Sequence, residues 1–294
     1  MANLKEVRTR ISSTISTQQI TKAMKLVSAT KLRKAQTTIL QMRPYSEKLS
    51  SILANLASSA DDDNLKVFFK PRTVKNALII VVTSDRGLCG PFNSNVSKAT
   101  KSLIETTYND LNPANITLMF MGKKGFEVYK TSKFTLNTNY RDVFQNLNAQ
   151  NVFQIGDKII NDFVYGKYDE VRVVYNQFKN AATQIIKEER IMPVDLSHLL
   201  KGKKKVTNDY IFEPGKAEIL QTLIPQAIKT QLLKAIFDSS ASEHGARMVA
   251  MDKATENAGE LLKALRLQYN QARQAAITTE ISEIVGGAAA MSNA

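Results

Sequence analysis

Two stretches of unbroken helical pattern, one at each end of the 294-residue chain, constrain its fold more than any other feature. From Asn3 to about Ser58 there is no Gly and a single Pro, and Ala, Leu, Lys, Arg, Gln and Met dominate, a composition of high helix propensity. Apolar residues fall at Leu4, Val7, Ile11 and Ile15, at Ile20, Met24 and Val27, at Ala35, Ile39 and Met42, and at Leu49, Leu53 and Leu56. Gaps of three and four mark one helical stripe. It is interrupted at Ser16 to Gln19 and around Lys31 to Lys34, so the seam is not a uniform zipper. Pro44 removes a ladder hydrogen bond and predicts a bend, and Ser58 to Asn64, with three consecutive aspartates, closes the helix. At the other end Met248, Met251, Ala254, Ala258, Leu261, Leu265, Tyr269, Ala272, Ala276 and Thr279 repeat in the same way. Pro225 is expected in the first turn of that helix, with Lys216 to Ile224 a short lead-in helix. Each long helix is expected to span roughly 55 to 60 residues, about 80 to 90 Å.

Between about Lys75 and Pro193 the period changes. Ala77 to Thr83 is a β-branched apolar run expected to form a buried strand, followed by the turn-like SDRGLCGP. A helix is expected from about Asn93 to Tyr108, capped by Asn93 or Ser94. Strands are expected at Ile116 to Met121, Glu170 to Phe178 and Thr183 to Met192, with an amphipathic stretch at Val152 to Tyr165. Such alternation predicts an α/β domain with an at least partly parallel sheet. Leu200 to Pro214, carrying KGKKK, reads as an exposed connection.

A module of about 120 residues cannot by itself cover two such stripes, so each helix needs the other. The expected fold is an α/β insert on an all-α shaft. It is a long antiparallel coiled coil of N- and C-terminal helices with an inserted Rossmann-like α/β domain. The expected divisions are residues 1–70, 75–200 and 210–294.

The net charge of +13 is concentrated: residues 1–75 hold 14 Lys and Arg against five Asp and Glu, whereas residues 215–294 hold eight of each. That asymmetry points to an acidic partner around the N-terminal segment, or to a solvated face that only aids solubility. No apolar run approaches a membrane span. The start, MANLKEVRTRIS, lacks the apolar core of a secretory signal, which sets the expectation of a cytosolic protein.

Chemistry-bearing patterns are sparse. One cysteine, Cys89, and two distant histidines, His198 and His244, give no zinc set. SDRGLCG has neither glycine spacing of the phosphate-binding loops. Asp85 and Arg86 read as a turn cap with a local ion pair, and Cys89 as a small buried residue. Neither a catalytic residue nor a cofactor or metal site is expected. Lys22, Lys25, Lys31, Arg33 and Lys34 cover several helix faces without the aromatic interleaving of a single-strand binder. A basic nucleic-acid-binding coiled coil and an enzyme built on the insert are the rival readings, and both lack a motif.

Three stretches are more specific. QITKAMKLVSATKLRKAQ (Gln19 to Gln36), SEHGARMVAMDKATENA (Ser242 to Ala258) and ARQAAITTEISEIVGGAAAM (Ala272 to Met291) resemble the gamma subunit of F-type ATP synthases. The last of these includes Ile277, Thr278, Glu280, Glu283, Ile284, Gly287 and Ala288 at the family's signature spacing. TSDRGLCG (Thr83 to Gly90) is similar too, departing at Pro91 and Phe92, where the family usually continues Gly-Leu. The region from Asp110 to Gln145 and the KGKKK stretch match less well. The resemblance implies a non-catalytic central-stalk rotor that couples ring rotation in a proton- or sodium-translocating membrane sector to ATP made or hydrolysed on beta. Implied partners are the alpha and beta subunits, the epsilon subunit and the membrane c-ring, with no nucleic acid and no span of its own. The implied location is the cytoplasmic face of the bacterial plasma membrane. The implied partner contacts are Met24, Lys25, Lys31 and Arg33 on the N-terminal helix, and Arg247, Arg273, Gln274, Thr278 and Glu280 on the C-terminal one. The small residues Gly286 to Ala290 are read as fitting a narrow bearing.

Overall fold

The computed structural model describes residues 4–57, 67–194, 213 and 215–292. Its elements are α1 (Leu4–Ala57), β1 (Ala77–Val82), α2 (Phe92–Thr107), β2 (Ile116–Met121), α3 (Lys123–Tyr129), β3 (Thr135–Asn137), α4 (Ala149–Val164), β4 (Glu170–Phe178), β5 (Gln184–Met192) and α5 (Lys216–Ser292). The aspartate run after Ala57 and almost all of the KGKKK connection lie outside the described residues.

Both terminal helices are present, of 54 and 77 residues. Pro44 lies inside α1 and Pro225 inside α5. The expected division at Pro225, with a separate lead-in helix, is therefore overturned. Leu220, Ile224, Ile228 and Leu232 are each no more than 3% exposed and sit in one core cluster. Burying four such side chains, at ~1.5–3 kcal/mol each, outweighs the ~3 kcal/mol cost of an interior proline.

Two compact units are formed: one joins α1 up to Ser28 with α5 from Met248 onward, and the other spans Ala29–Arg247. The second unit is built on a five-stranded sheet in the order β3-β2-β1-β4-β5. The β3, β2, β1 and β4 strands run parallel, and β5 returns antiparallel to β4. Central strand β1 is wholly inaccessible because both its faces are covered. Leu78, Ile80 and Val82 face α4, the Leu220–Ile236 part of α5, and Leu49 and Leu53 of α1. Ala77, Ile79 and Val81 face Val96, Leu103 and Ile104 of α2 and Tyr129 of α3. Strands β1, β2 and β4 occur where the apolar runs predict them; α3 and the three-residue edge strand β3 were not foreseen. In a sheet of this order the chain steps outward from β1 to β2 and β3 and then crosses to β4 on the other side of β1, a switch that opens a crevice at the carboxyl ends of the strands.

The cap expected for α2 is also overturned. The helix begins at Phe92 with Pro91 in the capping position and no side-chain cap. The Asn93 side chain is spent on the preceding turn, accepting from the Ser84 amide at 2.9 Å and donating to Ser84 Oγ at 2.7 Å. Gly122 closes the neighbouring β2–α3 turn at φ 103°, where a Cβ would lie 2.1 Å from the Thr83 carbonyl oxygen.

In the first unit the helices are antiparallel. Thr255 Oγ1 donates to Thr21 Oγ1 at 2.8 Å, and Lys25 Nζ meets Asp252 Oδ1 at 2.6 Å, so the register rises on one helix as it falls on the other. One covered row of α1 is Val7, Ile11, Thr14, Gln18, Thr21, Lys25 and Ser28, with gaps alternating four and three, and Leu4, Ile15 and Met24 are part-covered beside it. On α5 the matching row is Met251, Thr255, Ala258, Leu262, Leu265, Tyr269, Ala272 and Ala276, with Ala254 and Gly259 part-covered beside it. Both follow the 3.5-residue period of a left-handed supercoil. The row keeps its period through Ser16 to Gln19, where an interruption was expected, and is polar in its middle. Where the apolar stripe was expected to resume, Ile20 and Val27 point outward at 59% and 57% exposure, while Thr21 and Ser28 are buried at 8% and 4%. Leu261 likewise is 52% exposed. Small hydroxyl side chains bond within the seam (Ser28 Oγ to the Met24 carbonyl, 2.8 Å) and so need no water there.

Gly122→Ala is expected to destabilise the chain by about 2–4 kcal/mol, since it adds both a backbone clash and a strained φ. Urea unfolding of the two proteins at one temperature measures the difference.

Candidate functional site

Among the described residues no group of three or more His, Cys, Asp or Glu side chains could hold a metal ion, and no helix is long and apolar enough to cross a membrane. Two surfaces stand out instead, one on each unit.

The first is the outer side of the paired helices. On α1, Ile20, Leu26 and Val27 are more than half exposed and interleaved with Lys22, while the exposed Lys31, Arg33 and Lys34 belong to the second unit. Met24 and Lys25 are half-buried at the seam, and Lys25 is engaged with Asp252. That pair is largely solvent-exposed, so it contributes about 1 kcal/mol at most. On α5, Ala276 is the last covered position among the described residues, and the observed register sets Leu4 opposite about Ala272. Beyond this point the described side chains are exposed, among them Ile277, Ile281, Ile284 and Val285 at 42%, 55%, 70% and 62%. Arg273, Gln274, Thr278 and Glu280 lie on this exposed stretch, with Thr278 Oγ1 donating to the Gln274 carbonyl at 2.9 Å. A helix end with four large exposed aliphatic side chains is a surface awaiting cover.

The second surface is the loop after β1, at the crevice end of the sheet. Ser84 donates to the Arg86 carbonyl at 2.7 Å, and Cys89 is buried as expected. Phe92 packs beside Cys89 and Ala246, and its carbonyl accepts from Asn176 Nδ2 at 3.2 Å. Leu88 stands at the loop tip with φ 62° and 64% exposure. The left-handed region is a true outlier for a large side chain. Asp85 has its Oδ1 buried without a hydrogen-bond partner, and burial pushes its carboxyl pKa up against the pull of the Lys123 backbone amide and the Lys123 charge.

Arg247, one of the expected partner contacts, belongs to this second unit and is 8% exposed. Its Nη1 donates to Glu243 Oε1 at 2.7 Å and its Nη2 to the Arg86 carbonyl at 2.9 Å, while Nε reaches the Gly87 carbonyl at 3.3 Å. The nine expected contact residues belong to both units. Met24 and Lys25 are on the first unit with the four of the α5 tail, while Lys31, Arg33 and Arg247 fall in the second. Sequence reading missed Glu243 beside Arg247. The i,i+4 spacing of Glu243 and Arg247 was the available signal.

The His244 imidazole is held down to about 4, first by burial and then by the charges of Arg247 and Lys31. Glu243 is pushed up by burial, against the pull of Arg247. An unfolded imidazole takes its proton near pH 6.5. His244 therefore leaves stability intact above about pH 6.5 and lowers it progressively as pH falls toward 4. Glu243 works in the opposite sense, gaining its proton more readily in the folded chain. His244→Gln is expected to lose less stability than the parent between about pH 7 and pH 4, by on the order of 1–3 kcal/mol. Urea titrations at the two pH values read this difference directly.

Comparison with known proteins adds to this geometry. The family model described as ATP synthase matches residues 3–291. The ATP synthase gamma chain of Cytophaga hutchinsonii is 52% identical over 295 residues, covering 100% of both chains. That of Flavobacterium psychrophilum is 51% identical over 291 residues and 99% of each. Among solved structures, the chain resembles one in the Euglena gracilis mitochondrial ATP synthase, OSCP/F1/c-ring, rotational state 3. The TM-score is 0.64 at 22% identity, covering 98% of this chain and 94% of that one.

Proposed function

We propose, on the footing that this chain belongs to the ATP synthase family as a gamma chain, that it is the central-stalk rotor of an F-type ATP synthase. The uncovered tail of α5 carries this reading. An apolar helix end that no described residue of the chain covers is explained by a ring of subunits that encloses it. Alpha and beta subunits form that ring, and the epsilon subunit and the membrane c-ring hold the second unit. ATP is made or hydrolysed on beta, and the gamma chain contributes no bond chemistry. Its place is peripheral, on the cytoplasmic face of the bacterial membrane, where a proton or sodium gradient turns the ring.

The mechanism follows from symmetry. Two paired helices cannot present one surface three times, so three identical neighbours around them meet three different faces. A rotor of this kind biases each neighbour toward a different conformation, by as much as its contacts differ in free energy. The exposed Ile20, Leu26 and Val27 and the basic side chains Lys22, Lys31 and Arg33 make those faces unlike. Met24 and Lys25 with Lys31 and Arg33 meet acidic loops of beta, and Arg273, Gln274, Thr278 and Glu280 meet the upper part of the ring. Gly286 to Ala290 turn there because small side chains avoid friction that depends on angle.

Mixing the purified chain with alpha and beta subunits is expected to capture one copy per hexamer and to yield ATPase activity. Absence of both would refute the assignment. Ile20→Ser with Val27→Ser is expected to change the stability of the free chain by no more than about 0.5 kcal/mol while weakening capture severalfold in a pull-down. Reversing Lys25, Lys31 and Arg33 to Glu is expected to weaken assembly or coupling, with a steep dependence on salt.

A further inference from the structure

The gamma-chain reading requires torque to pass between the α/β unit and the long helix α5, which leaves that unit at Arg247 and continues to Ser292. We propose that Ser242 to Arg247 is the weld that carries this torque, with Arg247 as its positioning residue rather than a contact to the ring. The inference rests on the rotor assignment and deepens it.

Within six residues α5 is fastened to three separate segments at the crevice end of the sheet. Ser242 Oγ donates to the carbonyl of Asn176 in β4 at 3.0 Å. Gly245 lies against the β4–β5 turn so closely that a Cβ would meet the Ala181 carbonyl oxygen at 3.1 Å. The Arg247 guanidinium grips the loop after β1 through the Arg86 and Gly87 carbonyls, and Ala246 packs with Cys89 and Phe92 at the root of the same loop. Glu243, one turn back on the same helix, aims the fork with its 2.7 Å bond to Nη1.

Each nitrogen of the guanidinium has a partner on its own unit, and the side chain is 8% exposed. A residue so engaged cannot also reach a neighbouring subunit without breaking a buried ion pair, which is strongly unfavourable. The fork geometry also explains the choice of residue. A planar guanidinium can bond a carboxylate and two carbonyls at once, whereas a lysine ammonium is a point charge without that fixed fork. The grip holds Leu88 at φ 62°, a conformation that persists only when its surroundings enforce it. It therefore makes the loop a stiff part of the rotor rather than a hinge.

The test uses the assembled alpha–beta–gamma complex, with the parent chain, Arg247→Ala and Arg247→Lys. Two quantities are read: amide hydrogen exchange of the 84–92 segment, and the angular variance of a probe fixed to the α/β unit during a catalytic pause. Both variants are expected to speed exchange of that segment about tenfold or more, as loss of charge-assisted bonds to its carbonyls implies. Both are also expected to widen the angular variance. Arg247→Lys keeps the charge and supplies the measurement if Arg247→Ala fails to fold. Recovery of parental exchange and variance by Arg247→Lys would show that charge alone matters and would overturn the weld, as would parental values in Arg247→Ala. A chain that is never captured by alpha and beta subunits would instead sink the rotor assignment, and the weld with it.

Discussion

A helix of 77 residues cannot satisfy its apolar side with a single partner, and α5 meets this constraint by changing partner along its length. Leu220 to Ile236 bury against the parallel sheet, Met251 to Ala276 follow the seam shared with α1, and the described side chains after that are exposed. Each change of partner marks a change of role. The sheet-bound part anchors the helix, the paired part gives it a companion of opposite direction, and the last part leaves its aliphatic side chains exposed among the described residues.

The seam itself shows how the outer surface is freed for such neighbours. Its middle on α1 sets Thr14, Gln18, Thr21 and Ser28 beside half-covered Ile15 and Met24. Hydrogen bonds such as Thr255 to Thr21 satisfy the small polar groups there. The large apolar side chains of the same stretch, Ile20, Leu26 and Val27, are displaced outward among lysines. Stability of the pair is given up locally, and a mixed apolar and cationic face is gained. Where α5 meets the α/β unit the opposite choice is made. Charged and polar side chains are buried and matched, with Glu243, Arg247 and Ser242 all within hydrogen-bonding reach of fixed partners.

Much of this was legible beforehand, because periodicity reports which residues want burial. The runs at Ala77, Ile116 and Glu170 became β1, β2 and β4, and the long patterns at the two ends became α1 and α5. The readings that failed did so where burial by a distant segment overrode a local rule. Pro225 stays inside a helix because its neighbours are held on the sheet. Asn93 does not cap α2 because Ser84, in the preceding turn, claims its side chain. The three-residue β3 has too short a pattern to stand out, and it exists because the parallel edge of β2 offers it partners.

The order of residues by itself determined the two long helices, the strand-forming middle and the location of the basic excess, since propensity, period and charge are local or additive quantities. Only the tertiary structure decided which face of α1 became the seam, because apolar spacing of three or four fits both a 3.6- and a 3.5-residue period and the partner helix selects between them. It also decided that Arg247 faces inward. A guanidinium is equally suited to a neighbour's carboxylate or to its own chain's carbonyls, and only the fold brings Arg86, Gly87 and Glu243 within reach of its fork.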